Sequence, residues 1–246
     1  MNIRRLFPSS HYALLSLFYF IGMEVWFALS AWPVVLFFII LAVLIIGIVL
    51  IRSEEGDRFH PTQAILPTLA SFGFTAFAIY LPQSIFLHVY FIGCASIFFF
   101  ILKYGAKQAW PTWNTAISHV VLFVCLAAVI GWRFYFYSPV GYILAILFPI
   151  IVLMAFQSLV RYARSMVETL LLSLAIALVL IEIIWILQFL PLHFIVEAGF
   201  IVSLYYATVQ IITAMYEGKL SRTLLIELSL AGTVGAIILL STAHWV

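Results

Sequence analysis

Apolar residues occur along this chain in long runs that are separated by short polar breaks. Most runs hold about 20 residues, the length at which an α-helix crosses a hydrocarbon core roughly 30 Å thick. The runs predict nine helices, over residues 10–29, 33–51, 62–81, 83–102, 112–132, 139–160, 166–190, 192–216 and 223–244. We therefore predict an all-α protein, a polytopic transmembrane helical bundle that forms a single integral membrane domain over residues 1–246.

Prolines divide the predicted helices into pairs. Every second break between helices is short and holds a proline, namely Pro33, Pro82, Pro139 or Pro191. Proline cannot continue the helix that it follows, but it is tolerated in the first turn of the next helix. Each of these prolines therefore marks the tip of a hairpin, and the chain is predicted to fold as four helical hairpins followed by a closing helix.

The basic residues predict the orientation of the bundle. When the nine helices are threaded back and forth, every lysine and arginine except Arg133 falls on the side of the N-terminus. Membrane proteins collect lysine and arginine in their cytoplasmic loops. We therefore predict that the N-terminus is cytoplasmic, that the proline-containing tips and the C-terminus lie outside, and that the membrane is a bacterial-type cytoplasmic membrane.

Composition leads to the same class of protein. Hydrophobic residues make up 66% of the chain and charged residues 8%, and no water-soluble fold could cover so much apolar surface. The helices leave almost no residues for a domain outside the membrane, so any chemistry takes place in the bilayer, at its surface or on a partner. The basic residues are scattered along the chain, which argues against nucleic-acid binding.

Ionisable side chains inside the predicted helices share one depth. Near the outer tips, within about two turns, lie Glu24, His88, Glu182 and Glu197, with Arg133 at the rim. A charged group in hydrocarbon costs at least ~2.5–3.5 kcal/mol, so we predict that these five side chains line one outward-facing polar cavity. Glu182 and Glu197 stand nine residues before and six after Pro191, and are expected to approach within side-chain reach.

Other interpretations of these residues stay open. Each glutamate could extend to the nearby interface, or be a neutral acid that is hydrogen-bonded to a neighbouring helix. Imidazole together with carboxylates can bind zinc or iron, but no helix carries a close-spaced pair of such ligands around His88. We therefore predict no metal and no cofactor.

Several membrane activities lack the residues that they need. The lysines lie in or beside predicted loops, so no helix offers one for a retinal Schiff base. The only aspartate is Asp57, in a predicted inner loop, which removes aspartate dyads. No zinc-protease, serine-hydrolase or nucleotide-phosphate motif occurs, so ATP-driven work would have to come from another subunit. An enzymatic role is left open, with the weight against it.

Three functions fit these observations. The first is a cavity that binds or moves a small solute, a proton or a lipid headgroup without ATP. The second is a non-catalytic subunit of a larger complex, or a homo-oligomer, joined through the small residues of the last helix, Ala231, Gly232, Gly235 and Ala236. The third is an enzyme of the outer leaflet that acts on a lipid or polyprenyl-linked substrate, with a glutamate as general base and Arg133 on a phosphate.

Overall fold

The computed structural model describes residues 10–28, 62–105 and 111–242. These residues form helices and short connections, and no strand occurs among them. The helices are α1 (Ser10–Ala28), α2 (Thr62–Ala78), α3 (Ile85–Gly105), α4 (Pro111–Phe136), α5 (Val140–Leu159), α6 (Met166–Leu187), α7 (Phe194–Tyr216) and α8 (Arg222–Thr242). The prediction of an all-α protein is confirmed.

Six of the described helices contain a segment long and apolar enough to cross a membrane. The segments are His11–Ala28, Ile85–Lys103, Thr115–Phe136, Val140–Leu159, Met166–Leu187 and Phe194–Tyr216. The helices therefore have the length and composition of a multi-pass integral membrane protein. The predicted helix over 33–51 lies outside the described residues, so the count of nine stays a prediction, as do the hairpin layout, the single domain, the orientation of the termini and the kind of membrane.

Prolines occupy two kinds of position in the described residues. Pro82, Pro139 and Pro191 lie in the connections between helices, where the apolar runs break. Pro67 and Pro149 lie inside α2 and α5. Proline inside a helix removes one backbone hydrogen bond, which transmembrane helices tolerate because neighbouring groups satisfy the freed carbonyl. Pro33 lies outside the described residues.

The chain divides into two compact units, residues 1–121 and 122–246. In the first unit, α1 and α2 both pack against α3. The Tyr19 hydroxyl of α1 is fully buried and lies 3.2 Å from Thr75 Oγ1 and 3.3 Å from the Ser71 carbonyl oxygen of α2. The Tyr90 hydroxyl of α3 donates to the Phe74 carbonyl of α2 at 2.8 Å. Hydrogen bonds from tyrosine hydroxyls on α1 and α3 to α2 thus add specific contacts to the apolar packing of this unit.

In the second unit, α5 packs on α6, α6 on α7, and α7 on both α5 and α8. The Tyr216 hydroxyl at the end of α7 donates to Glu168 at the start of α6 at 2.5 Å, so the two helices run antiparallel. Glu168 also accepts a hydrogen bond from the Arg164 backbone N–H, while Ser165 Oγ accepts one from the Glu168 backbone N–H. This reciprocal capping marks where α6 begins. The other ends of α6 and α7 meet at the connection that holds Pro191.

Candidate functional site

Three polar side chains meet where α4 and α6 end and α7 begins. Arg133 lies in the last turn of α4, Gln188 caps the end of α6, and Glu197 lies near the start of α7. Pro191 interrupts the chain between α6 and α7, which brings the end of one helix beside the start of the next. We call Arg133, Gln188 and Glu197 the tip site.

Gln188 connects the other two residues of the tip site. Arg133 Nη1 donates to the Gln188 backbone carbonyl at 2.6 Å and to Gln188 Oε1 at 2.7 Å. The Gln188 amide, Nε2, in turn donates to Glu197 Oε1. Gln188 is 6% exposed and Glu197 2% exposed, whereas Arg133 is half-buried. A chain of hydrogen bonds therefore runs from the guanidinium of half-buried Arg133 to a buried carboxyl group.

The helix ends favour a positive charge on Arg133 and a carboxyl group at Glu197. The carbonyls at the end of a helix carry partial negative charge, and the N–H groups at its start carry partial positive charge. Arg133 bonds the carbonyl at the end of α6, and Glu197 lies in the first turn of α7. This placement, together with the Gln188 amide, offsets part of the cost of removing the Glu197 carboxyl group from water.

Aromatic side chains pack together where α4 ends and α7 begins. The rings of Phe134 and Tyr135 contact the Phe194 ring, with centroids 5.9 and 6.0 Å apart. The His193 ring lies 4.5 Å from Phe194, and His193 Nδ1 accepts a hydrogen bond from the Ile195 backbone N–H at 3.4 Å. These rings pack the start of α7 against the end of α4 and so support the position of Arg133.

The chain leaves α4 through a strained residue. Tyr137 has φ of 52°, in the left-handed region that few non-glycine residues adopt. Its backbone N–H donates to the Arg133 carbonyl at 3.0 Å, which satisfies one of the last carbonyls of α4. The Tyr137 side chain is 89% exposed. The sharp turn thus ends α4 at Phe136, within one turn of Arg133, and projects an aromatic ring from the tip.

The two glutamates that flank Pro191 have different surroundings. Glu197 is buried and bonded to Gln188, whereas Glu182 is exposed on α6 and makes no hydrogen bond or ion pair with other described residues. Gln188, which is not one of the five predicted site residues, is therefore the partner of Glu197. The sequence places Gln188 between apolar Leu187 and Phe189 near the tip of the hairpin, at the rim of the predicted cavity together with Arg133.

The remaining two predicted site residues form a pair in the first unit. His88 Nδ1 in the first turn of α3 lies 2.8 and 3.0 Å from the two carboxylate oxygens of Glu24, one turn before the end of α1. The side chains of His88 and Glu24 are 59% and 30% exposed. The single cavity lined by Glu24, His88, Glu182, Glu197 and Arg133 stays a prediction.

Within residues 10–28, 62–105 and 111–242, no group of three or more histidine, cysteine, aspartate or glutamate residues could hold a metal ion. Of the predicted acids, Glu197 is bonded to the Gln188 amide and Glu24 to the His88 imidazole, and neither pair has a third metal-ligating side chain beside it among the described residues. The tip site consists of a cation, Arg133, that is hydrogen-bonded to an amide, Gln188, which is in turn hydrogen-bonded to a buried acid, Glu197.

Comparison with known proteins identifies one relationship. No curated protein and no solved structure matches the chain. The model of the family DUF5656, described as "Protein of unknown function", matches residues 18–242. The matched stretch covers more than half of the chain and includes all three residues of the tip site as well as Glu24 and His88. The chain therefore belongs to the DUF5656 family.

Proposed function

We infer that this protein uses the tip site to bind or move a small solute, a proton or a lipid headgroup at the outer face of the membrane, without ATP. The hypothesis rests on the hydrogen-bond chain from half-buried Arg133 through Gln188 to buried Glu197. A structural hairpin needs neither a cation nor an acid at its tip. Ionisable groups of this kind are what a site for a charged or protonatable ligand uses.

The pattern of hydrogen bonds at Arg133 is the observation that supports binding most directly. A guanidinium carries five N–H donors, and here only Nη1 is used by the described residues. The donors on Nε and Nη2 make no hydrogen bond within the described part of the chain. Since arginine stays charged at all physiological pH values, the site presents a permanent cation with unused donors to whatever approaches the tip.

The other two functions receive less support. A general base has to reach its substrate, whereas the Glu197 carboxyl group is 2% exposed and bonded to Gln188. For a subunit role, the stripe of small residues on α8 would face a partner. A Cβ at Gly235 would make an ordinary van der Waals contact, at 3.8 Å, with the Phe200 ring of α7, so this position faces α7 of the same chain, whereas a Cβ at Gly232 would meet nothing within 4 Å. The side chains of Ala231 and Ala236 lie outside the described residues.

The test is a thermal-stability screen of the purified protein in detergent, against a panel of anions, cations, zwitterions and lipids. We expect at least one ligand class to raise the unfolding temperature, because a ligand that binds only the folded state stabilises it. The rise should be lost in Arg133→Gln and reduced in Glu197→Gln.

Arg161→Gln is the matched control, because Arg161 is exposed after α5 at the opposite end of the unit and its loss removes the same charge. It should respond to the ligand as the wild type does. A panel in which no compound stabilises the wild type, or in which all the variants respond equally, would contradict the proposal.

A further inference from the structure

The hydrogen bonds at Arg133 divide its guanidinium into a used side and an unused side. Gln188 occupies Nη1 with two acceptors, its backbone carbonyl and Oε1. The opposite edge, formed by Nε and Nη2, presents two parallel N–H donors. This fork matches two oxygens of one phosphate or carboxylate group, which is the bidentate geometry in which arginine binds such anions. The geometry therefore selects an anion with paired oxygens over a cation or a neutral solute.

Gln188 and Glu197 hold that fork in place. Because the Gln188 amide donates to Glu197, its Oε1 is turned toward Arg133, where it accepts from Nη1. Two acceptors on the same nitrogen restrict rotation of the guanidinium plane. Glu197 thus acts as a positioning residue, and the Gln188 amide stands between its carboxyl group and an anion on the far edge of Arg133.

The aromatic residues at the end of α4 indicate where that anion comes from. Phe134, Tyr135, Phe136 and Tyr137 follow Arg133 directly and are all exposed. On the end of α6, Trp185 and Phe189 are also exposed, with ring centroids 6.0 Å apart. Exposed tyrosine and tryptophan rings at the ends of transmembrane helices lie at the level of the lipid headgroups. The unused edge of Arg133 is therefore at the depth of lipid phosphates.

We propose that the tip site binds the phosphate of a lipid headgroup in the outer leaflet, with the Nε and Nη2 donors of Arg133 on two phosphate oxygens and the neighbouring aromatic rings against the lipid. This assignment rests on the proposed function of the tip site and names its ligand class. A phosphate that is free in water offers the same oxygens to Arg133 but no acyl chains to the exposed rings, so the lipid is the tighter ligand.

Native mass spectrometry of the full chain, released from detergent, tests the proposal. The probes are dioleoyl-phosphatidylglycerol, dioleoylglycerol with the same chains and no phosphate, and inorganic phosphate. We expect the wild type to retain dioleoyl-phosphatidylglycerol at least tenfold more tightly than either of the other two. Arg133→Lys keeps the positive charge at the end of α6 but has no fork, and we expect it to lose at least tenfold in affinity for the phospholipid.

The variants separate a binding role from a structural role. Arg161→Lys should bind the phospholipid as the wild type does, since Arg161 lies at the opposite end of the unit. Should Arg133→Gln fail to fold, Arg133→Lys still reports on the fork, provided that its unfolding temperature matches that of the wild type. Glu197→Gln should fold and bind more weakly, because the guanidinium plane is held less firmly.

Equal retention of dioleoyl-phosphatidylglycerol by the wild type and by folded Arg133→Lys would overturn the proposal, as would equal binding of dioleoylglycerol. If a soluble anion binds in an Arg133-dependent manner while the phospholipid does not, the ligand class named here is wrong and the proposed function stands. If no ligand of any class depends on Arg133 or Glu197, both fail.

Discussion

Both polar atoms of the Gln188 side chain make a hydrogen bond. Its Oε1 accepts from Arg133 and its Nε2 donates to Glu197, within surroundings that leave Gln188 itself 6% exposed. A leucine in its place would leave the Glu197 carboxyl group buried without this partner. We expect Gln188→Leu to lower the free energy of unfolding by about 1–3 kcal/mol, the cost of one buried polar group without a partner. Denaturant titration in detergent micelles would measure it.

Gln157 is a control for Gln188, because its buried side-chain oxygen makes no hydrogen bond in the described part of the chain that a leucine would remove. Its Oε1 in α5 is buried and has no hydrogen-bond partner among the described residues. Gln157→Leu removes that unsatisfied oxygen and keeps the side-chain volume, so we expect the free energy of unfolding to stay the same or to rise. Equal losses in Gln188→Leu and Gln157→Leu would mean that the tip hydrogen bonds contribute nothing specific to stability.

Tyr137 has a strained backbone conformation in the turn after α4. Its φ of 52° places a bulky side chain in the left-handed region, which costs roughly 1–2 kcal/mol for a residue with a Cβ. Glycine adopts this conformation without that cost but is more flexible in the unfolded chain, so we expect Tyr137→Gly to stabilise by about 0.5–1 kcal/mol.

Ser138→Gly is the control for Tyr137→Gly. Among the described non-glycine residues only Tyr137 has positive φ, so glycine at position 138 relieves no strain and should not raise the unfolding temperature. A fall in the unfolding temperature of Tyr137→Gly would show that the exposed Tyr137 ring contributes more to stability than its backbone costs.

At the scale of elements, hydroxyl groups fix how apolar helices pack. The Tyr205 hydroxyl of α7 is fully buried and lies 2.9 Å from Ser158 Oγ of α5. Tyr205→Phe keeps the ring and removes the hydrogen bond, so we expect a loss of about 0.5–1.5 kcal/mol in the free energy of unfolding. The exposed Tyr142 in the first turn of α5 is the control, and Tyr142→Phe should leave stability unchanged. Indistinguishable results for the two variants would refute a packing role for the pair.

The positions of the helices were predictable from local composition. Each described helix coincides with a predicted apolar run, and the ends differ by a few residues at most places. Where they differ, capping decides the boundary. The run over 166–190 continues through apolar Phe189 and Leu190, but α6 ends at Leu187 because the chain turns toward Pro191. The apolar composition of the run does not show where the helix ends. The proline at position 191 does, because the residue before a proline is disfavoured in the helical conformation.

At the scale of the whole molecule, the predicted orientation can be tested with an impermeant maleimide. The native cysteines Cys94 and Cys125 are buried, so an introduced cysteine supplies the signal. We expect Gln83→Cys, exposed between α2 and α3, to react in intact cells, because the predicted tips face outward. Ser221→Cys, exposed before α8, should react only after the membrane is permeabilised. The reverse pattern would invert the predicted topology.

The sequence by itself determined that the helices are apolar enough for a lipid environment, that the fold is helical and where the described helices lie. These properties depend on the composition of about 20 neighbouring residues and on the positions of the prolines. The sequence also brought Arg133 and Glu197 to one end of the bundle. Only the tertiary structure paired Glu197 with Gln188 and left Glu182 exposed. Nearly uniform apolar helices carry no pattern that sets their rotation, so the packing of α4, α6 and α7 decides which side chains meet.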